Sequence, residues 1–307
     1  MGKQNANTVL MIEPVAFGFN VETEVNNFFQ QSGNLSADQV HMQALAEFNG
    51  MVIQLQSKGI HVIVVKDSNE TYTPDSIFPN NWVTFHGDGN VVVYPVFAQN
   101  RRLERRHEII QQVIDAGYKF TKFSDYTCYE NQNYFLEGTG SMVFDHENSI
   151  VYAALSERTS YEMLLGYCGD FGYSPVIFSA FQTVGQRRLP IYHTNVMLSV
   201  ADNYAIICIE CIDHKEDREN VIESFRKTGK AIITLTEKQM NSFAGNMLQL
   251  QNVHGEKYLV MSETAFNSLE DIQINKLKSF NELIVVPVPT VEQYGGGSVR
   301  CMMAEVF

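Results

Sequence analysis

Four stretches of the chain read as one small unit written four times. Each is a pair of β-rich runs joined by a polar turn: Asn81–Pro95, Gly138–Leu155, Asn195–Ile212 and Asn246–Glu263. The turns fall at Asp88-Gly89, His146-Glu147-Asn148, Ala201-Asp202-Asn203 and His254-Gly255-Glu256, so the unit recurs every 52–58 residues. Gly, Asn or Asp between two β-rich runs is a hairpin signal. A repeat of this period restricts the fold more than composition does, because each unit is too small to bury its apolar face alone and must pack against its copies. A helical stretch follows each hairpin: Arg101–Gly117, Ser156–Gly169, Lys215–Gly229 and Asn267–Lys278. A further strand comes next, at Lys119–Phe123, Val176–Phe178, Ala231–Leu235 and Leu283–Val286. The unit is therefore ββαβ. A fifth copy has to draw on both ends of the chain, Val299–Phe307 with Val9–Pro14, then the helix Ala37–Lys58 and the strand Ile60–Lys66. Closure through the termini removes open sheet edges. The expectation is a single α/β domain over residues 1–307, a five-bladed α/β propeller of ββαβ modules with pseudo-five-fold symmetry. An ordinary open α/β sheet is the alternative.

Hydrophobic residues at 45% and charged residues at 19% supply a sizeable core. No apolar run approaches the roughly 20 residues that cross a bilayer, and no secretory signal is visible at the start; an odd number of scattered cysteines makes a reducing cytoplasm the expected compartment. Gly2 is not a myristoylation site, because Ala6 stands where Ser or Thr is needed. A net charge of -13 repels nucleic acid and anionic membranes. Five cysteines, at 128, 168, 208, 211 and 301, do not make a disulfide framework. Cys208-x-x-Cys211 is half a metal site with no second pair. Read as a strand, its odd spacing puts the two sulfurs on opposite faces, so no zinc is expected. The basic run Arg101–Arg106 is broken by Glu104 and reads as a solvated helix start. Histidines outside position 193 read as surface or satisfied residues.

The repeat also places chemistry. At the end of each hairpin away from its turn stand Asn80-Asn81, Glu137, His193 with Asn195, and Asn246. The fifth unit offers Gly295-Gly296-Gly297-Ser298-Val299-Arg300-Cys301. Equivalent positions in a ring meet near its axis. A converging polar set in an apolar core needs a ligand, water or its own members as partners. A thiol must become a thiolate to attack, and an imidazolium is the usual way to make one. Cys301 is the nucleophile candidate, His193 its acid–base partner, and Glu137 the group that orients the ring. Singly, a strand cysteine is a small buried hydrophobe and a histidine a satisfied core residue; their conjunction at equivalent repeat positions is what points to catalysis.

These segments resemble the guanidino-group-modifying superfamily of arginine deiminases, dimethylarginine hydrolases and amidinotransferases. The matching elements span nearly the whole chain. Asp75-Ser76-Ile77-Phe78-Pro79-Asn80-Asn81 is similar to the family segment that ends in a substrate-binding Asp, and Leu136-Glu137-Gly138-Thr139-Gly140 to its Glu-Gly-Gly-Asp segment. Ser156-Glu157-Arg158-Thr159 resembles its carboxylate-binding Arg motif, His193-Thr194-Asn195 its His-x-Asp segment, and Gly295–Met302 its nucleophile motif. The resemblance implies the propeller fold and a covalent mechanism that requires no metal or organic cofactor. Cys301 attacks the planar carbon, His193 protonates the departing amine and then activates water, and Glu137 supports His193. Arg158 would hold the substrate carboxylate, and Arg101 or Arg102, with Arg101 preferred, matches a second family Arg. Asp75, Asn80 and Asn246 complete the implied substrate-binding set.

Two positions that usually carry a guanidinium-binding carboxylate are Asn81 and Asn195 here. A buried guanidinium wants a paired anion. A ureido group is neutral, and an amide offers it both donor and acceptor. The expected substrate is therefore citrulline or a close ureido amino acid, cleaved to ornithine, ammonia and carbon dioxide. Asn81-Trp82 and Gly245-Asn246-Met247 also resemble the citrulline-hydrolase branch. Arginine deiminase, dimethylarginine hydrolase or amidinotransferase activity is the alternative, and a non-enzymatic propeller-type binding factor the rival from another class. A homo-oligomer is compatible with the sequence.

Overall fold

The computed structural model describes residues 2–307. Each hairpin forms, and each has a later strand paired in parallel with its second arm. Val83–Phe85 runs antiparallel to Asn90–Val93, which lies parallel to Lys122–Asp125. The same order recurs in Val143–Asp145, Ile150–Ala154 and Ser174–Phe178. It recurs again in Leu198–Val200, Tyr204–Ile207 and Ala231–Thr234, and in Leu248–Gln251, Lys257–Ser262 and Glu282–Val286. The chain ends complete a fifth set: Ala304–Val306 is antiparallel to Thr8–Glu13, which is parallel to His61–Lys66. A parallel bridge between Val306 and Phe85 fuses this last set to the first in a six-stranded sheet. The chain is thus a mixed α/β fold of five like strand sets, one of them shared between the termini.

Helices cover the sheets where their apolar spacing dictates. Ala37–Ser57 starts at a capping box of Ser36 and Gln39 and buries Val40, Ala44, Phe48, Met51 and Leu55, a stripe at steps of three and four. Three expected helices differ in extent. Arg101–Gly117 divides into a 3-10 turn, Asn100–Glu104, and a helix, His107–Asp115, because the Arg101 side chain is bound into the interior through Glu104. The Ser156–Gly169 helix begins only at Tyr161, since Thr159 bridges to Leu136 and Ser156 first. Asn267–Lys278 is two helices, Glu263–Ser268 and Asp271–Lys278, parted by extended Leu269. The sequence reading missed the hairpin Phe181–Val184 with Arg187–Pro190 and the helix Pro289–Gly295. Among the described residues no helix is long and apolar enough to cross a membrane.

The Cys208–Cys211 reading needs correction. The strand ends at Ile207 and Ile209–Cys211 is a 3-10 turn, so strand alternation does not apply. The two sulfurs lie 3.0 Å apart on one side, buried, with Met240 Sδ 3.5 Å from Cys211 Sγ. Among the described residues no group of three or more His, Cys, Asp or Glu side chains is placed to hold a metal.

His86 is buried and His146 half-buried, each against aromatic neighbours. His86 stacks on Phe171 at 5.2 Å and meets Thr84 Oγ1 at 2.8 Å; His146 stacks on Phe144 at 5.0 Å and meets the Tyr173 hydroxyl at 2.8 Å. Burial lowers their pKa values from 6.5 to about 4 and about 3. The unfolded chain takes up these protons first, so the stability they support is complete above pH 6.5 and is lost as pH falls through 4 and then 3. The melting temperature of the wild type should therefore fall more steeply below about pH 6.5 than that of His146→Phe. Parallel slopes would contradict this account of His146.

Candidate active site

The residue that leads each strand set sits on a short helical turn or bend, and these turns face one another. Pro79–Asn81, Gly138–Ser141 and Thr194–Val196 are single turns, and Asn246 directly precedes its hairpin. Neighbours are stitched in sequence. Asn80 Nδ2 donates to Thr139 Oγ1 at 3.2 Å, and Thr194 Oγ1 to the Ser141 carbonyl at 2.6 Å. Asn246 Nδ2 donates to the Asn195 carbonyl at 3.0 Å, and the Arg300 amide to Asn246 Oδ1 at 3.1 Å. The first link needs glycine at 138, where φ is +46° and a Cβ would lie 2.2 Å from the Asn80 carbonyl oxygen.

Cys301 is buried here, and its Sγ accepts from Asn246 Nδ2 at 3.3 Å and Asn195 Nδ2 at 3.5 Å. Two amide donors on one sulfur form a setting in which an anionic sulfur is solvated without water. His193 Nε2 lies 2.8 Å from Glu137 Oε2, and Glu137 Oε1 accepts the Phe97 amide at 2.8 Å. Burial alone would raise Glu137, but Arg158, His193 and Arg101 outweigh it and hold the carboxyl at about 2. Burial lowers His193 to about 4 against the pull of Glu137, with Arg158 and Arg101 adding to the fall. The resting pair is thus a carboxylate and a neutral imidazole. Nε2–H donates to Glu137, which leaves Nδ1 as the basic nitrogen. The expected thiolate–imidazolium contact is absent: no hydrogen bond joins His193 to Cys301, whose partners are amides. The two groups belong to one site, but they are not a preformed ion pair.

Arg158 and Arg101 are buried, and their donors are already engaged. Arg158 Nε donates to Asn26 Oδ1 at 2.9 Å and Nη2 to the Thr23 carbonyl at 3.2 Å; Nη1 lies 3.5 Å from Glu137, and the guanidinium rests 4.8 Å over the Tyr192 ring. Arg101 reaches Glu104 through Nε and Nη2, Asn81 Oδ1 through Nη1 at 2.6 Å, and the Phe78 carbonyl at 3.1 Å. Arg102 is half-buried and turns to the Val96 and Phe97 carbonyls, so Arg101 is the one at the site. Arg101, expected at the substrate, has its fork closed on Glu104 in this structure. Asp75 lies behind it, with Oδ2 3.8 Å from Arg101 Nε and 2.7 Å from Asn20 Nδ2.

Asn20, Thr23 and Asn26 belong to a stretch that the sequence reading did not assign to the site. Residues 17–30, almost without regular structure, lie over Arg158 and Asp75. They are fixed by Asn26 to Glu157, Asn27 to the Gly295 carbonyl, and Phe29 against Tyr192. The signal for them was the density of amides, Asn26-Asn27 and Gln30-Gln31 around Phe28-Phe29, too polar for an ordinary buried loop. Gly33–Ser36 is exposed and leads into the helix cap, with the Leu35 amide donating to the Tyr294 hydroxyl at 3.4 Å. A cavity of about 640 Å³ lies at the opposite, turn end of the hairpins, lined by His86, His146 and Phe307, and holds none of the catalytic candidates.

Several buried polar atoms around the site have no partner: Asn81 Nδ2, Asn80 Oδ1, Asn195 Oδ1 and Asp75 Oδ1. Each such atom costs about 1–3 kcal/mol if left bare, so a group of them at one place marks where a ligand bonds. Gly140 controls the space between them. A Cβ there would lie 2.5 Å from Asn81 Nδ2 and 2.7 Å from His193 Cε1. Gly140→Ala is expected to cut kcat by about 100-fold or more, because His193 and Asn81 must both shift. An unchanged kcat would show that neither geometry matters.

The model of the eukaryotic N,N-dimethylarginine dimethylhydrolase family matches residues 13–307. The chain belongs to this family. It is a hydrolase of guanidino C–N bonds, and the family carries out this chemistry with a cysteine. Among solved structures the dimethylarginine dimethylhydrolase fold is shared with three instructive neighbours. The N-terminal domain of ArgZ, an arginine dihydrolase from cyanobacteria, bound to its substrate, is 19% identical, with 97% of each chain covered and a TM-score of 0.69. AgrE with ornithine and NAD+ is 18% identical, with 98% of this chain and 39% of that one covered and a TM-score of 0.70. A dimethylarginine dimethylaminohydrolase carrying an S-methyl-L-thiocitrulline adduct is 16% identical, with 99% and 100% covered and a TM-score of 0.61. A search of curated proteins finds no match.

Proposed function

We propose that residues 1–307 form one catalytic unit, a five-bladed ring of the strand sets described above, which hydrolyses a ureido or guanidino amino acid through a covalent intermediate on Cys301. Asn81 and Asn195 favour citrulline, whereas the family match favours a guanidino amino acid. The reading rests on one observation above the rest: the positions where the superfamily usually carries guanidinium-binding carboxylates hold uncharged Asn81 and Asn195, and both have an unpaired buried atom. The charge of Glu137 is already shared with Arg158 and His193. A second reading, hydrolysis of arginine or a methylated arginine, is favoured by the family match.

Cys301 Sγ bonds to the ureido carbon while its proton passes to His193 Nδ1. His193 returns that proton to the departing nitrogen, the C–N bond breaks and ammonia leaves. Water then gives a proton to His193 and its oxygen to the carbon, the C–S bond breaks and the thiol is restored. The carbamate formed loses carbon dioxide, leaving ornithine. Asn195 and Asn246 would steady the sulfur through each change of charge, and Glu137 would steady His193. With the segment 17–30 opened, Arg158 would be free to exchange Asn26 Oδ1 for the substrate carboxylate.

The test is release of ammonia from citrulline and from arginine, and of methylated amine from dimethylarginine, each substrate supplied separately. Higher kcat/KM for citrulline supports the proposal. Release from arginine alone would keep the family chemistry and overturn the ureido reading.

A further inference from the structure

We infer that the cleft between the hairpin Phe181–Val184 with Arg187–Pro190, residues 28–31 and the helix Pro289–Gly295 is a second binding site, separate from the catalytic centre, for a free α-amino acid with a basic side chain. The inference does not depend on whether the catalytic centre takes a ureido or a guanidino group. The cleft measures about 540 Å³, room for one such molecule, and neither Cys301, His193 nor Glu137 lines it.

The outer wall is fixed. Arg188 pairs with Glu237 at 2.7 Å and also with Asp213, and the Thr183 amide donates to Glu237 as well. Two buried side chains on the walls lack the partners they need. Gln182 is 3% exposed, and its Nε2 donates to nothing. Glu292, on the facing helix, is buried and accepts the Ser298 hydroxyl at 2.6 Å. Burial pushes its carboxyl up, the hydroxyls of Ser262, Ser298 and Thr264 draw it back, and the nearby charge, Glu47, is a second acid that adds to the rise. Among the described residues no lysine, arginine or histidine lines the cleft. A bare buried donor and a buried acid without a cation both cost free energy while the cleft is empty.

The two needs have opposite sign, and that selects the ligand. An inorganic cation would leave Gln182 unanswered, and a plain anion would meet Glu292. An α-amino acid answers both: its carboxylate takes the Gln182 N–H and its ammonium donates to Glu292. Phe28, Phe29 and Phe243 line the same space and suit the stem and the cationic head of a basic side chain.

Occupation acts on turnover through two contacts. Phe29 stands between the cleft and the catalytic centre, 5.5 Å from the Phe243 ring and 6.1 Å from the Tyr192 ring over which Arg158 rests. Ser298 joins Glu292 to the nucleophile turn, where the Cys301 amide donates to the Ser298 carbonyl at 2.9 Å. A ligand that braces Phe29 holds residues 17–30 down over Arg158 and slows the opening that turnover needs. High concentrations of amino acid therefore inhibit.

The experiment titrates the full-length Cys301→Ala protein by calorimetry with L-arginine and L-ornithine, then repeats the titration with Gln182→Leu or Gln182→Glu added. The parent should show a second site that weakens by about 10-fold or more in both, since one loses the donor and the other repels the carboxylate while keeping the size. Agmatine, which lacks the carboxylate, should not fill that site. With Cys301 in place, turnover should decline at high amino-acid concentration. Gln182→Leu should lose this decline and keep kcat/KM unchanged at low concentration. Equal stoichiometry and affinity in the parent and both Gln182 variants overturn the inference, as does agmatine bound as well as arginine. A Gln182→Leu enzyme with lowered kcat/KM and the decline intact overturns it too, because Gln182 then only braces the hairpin.

Discussion

Cys301→Ala is expected to lower ammonia release by about 10⁴-fold or more while the melting temperature changes little. The size follows from covalent catalysis: without the sulfur, water must attack a resonance-stabilised carbon directly, and the site retains only its power to bind. The modest structural effect follows from the surroundings. The thiol is buried, but it serves only as an acceptor for the amides of Asn195 and Asn246; the Asn246 amide also donates to the Asn195 carbonyl and so keeps a partner when the sulfur goes. Steady-state ammonia release together with thermal unfolding checks both parts. A variant that retains activity would remove Cys301 from the mechanism, and one that loses activity by unfolding would leave its role undecided between chemistry and packing until Cys301→Ser was measured.

Glu137→Gln is expected to cost about 10³–10⁴-fold in kcat, nearly as much as loss of the nucleophile, for a reason read from tautomers. In the wild type Nε2–H donates to a carboxylate, so Nδ1 carries the lone pair. The Glu137 oxygen that accepts the Phe97 amide, Oε1, would remain an oxygen in the variant, whose new side-chain amide then turns its NH₂ toward His193. The ring would have to accept at Nε2 and carry its proton on Nδ1, the nitrogen needed as base. Loss of an orienting carboxylate in a catalytic triad has a cost of this order. The same substitution leaves Arg158 without its nearest anion, 3.5 Å away, so stability should fall by about 3–5 kcal/mol. Rate and chemical denaturation separate the two effects. In the wild type the acid limb of the rate profile should lie well below pH 6.5, because burial holds His193 at about 4. A limb near 6.5 in kcat/KM would contradict a neutral, enclosed imidazole.

The modular plan was legible because it is written in alternation and turn chemistry, which need only local physics. Turn positions such as Asp88-Gly89 and His254-Gly255 form in the structure, and the strands flanking them pair as expected. Catalytic candidates could be found in the same way, since Asn81, Glu137, His193 and Asn246 lead equivalent strands and the turns that carry them meet. Partnerships between distant side chains were not legible. Nothing local shows that Arg101 reaches Asn81, 20 positions away, or that Asn26 lies on Arg158, 132 positions away. Helix ends failed for a related reason: Thr159 and Arg101 were claimed by tertiary contacts before helix propensity could act. Cys208 and Cys211 were misread because the strand stopped at Ile207, before either cysteine, although the apolar pattern runs on to Ile212.

The central claim is that the substrate carbon is carried by Cys301. Acid quenching during turnover of citrulline, followed by proteolysis and mass spectrometry, tests it most directly. The account predicts a substrate-derived thiocarbamate on the peptide that contains Cys301 and on none of those that contain Cys128, Cys168, Cys208 or Cys211. Steady ammonia release with Cys301 unmodified at every quench time, even when the Glu137→Gln variant slows turnover, would contradict it.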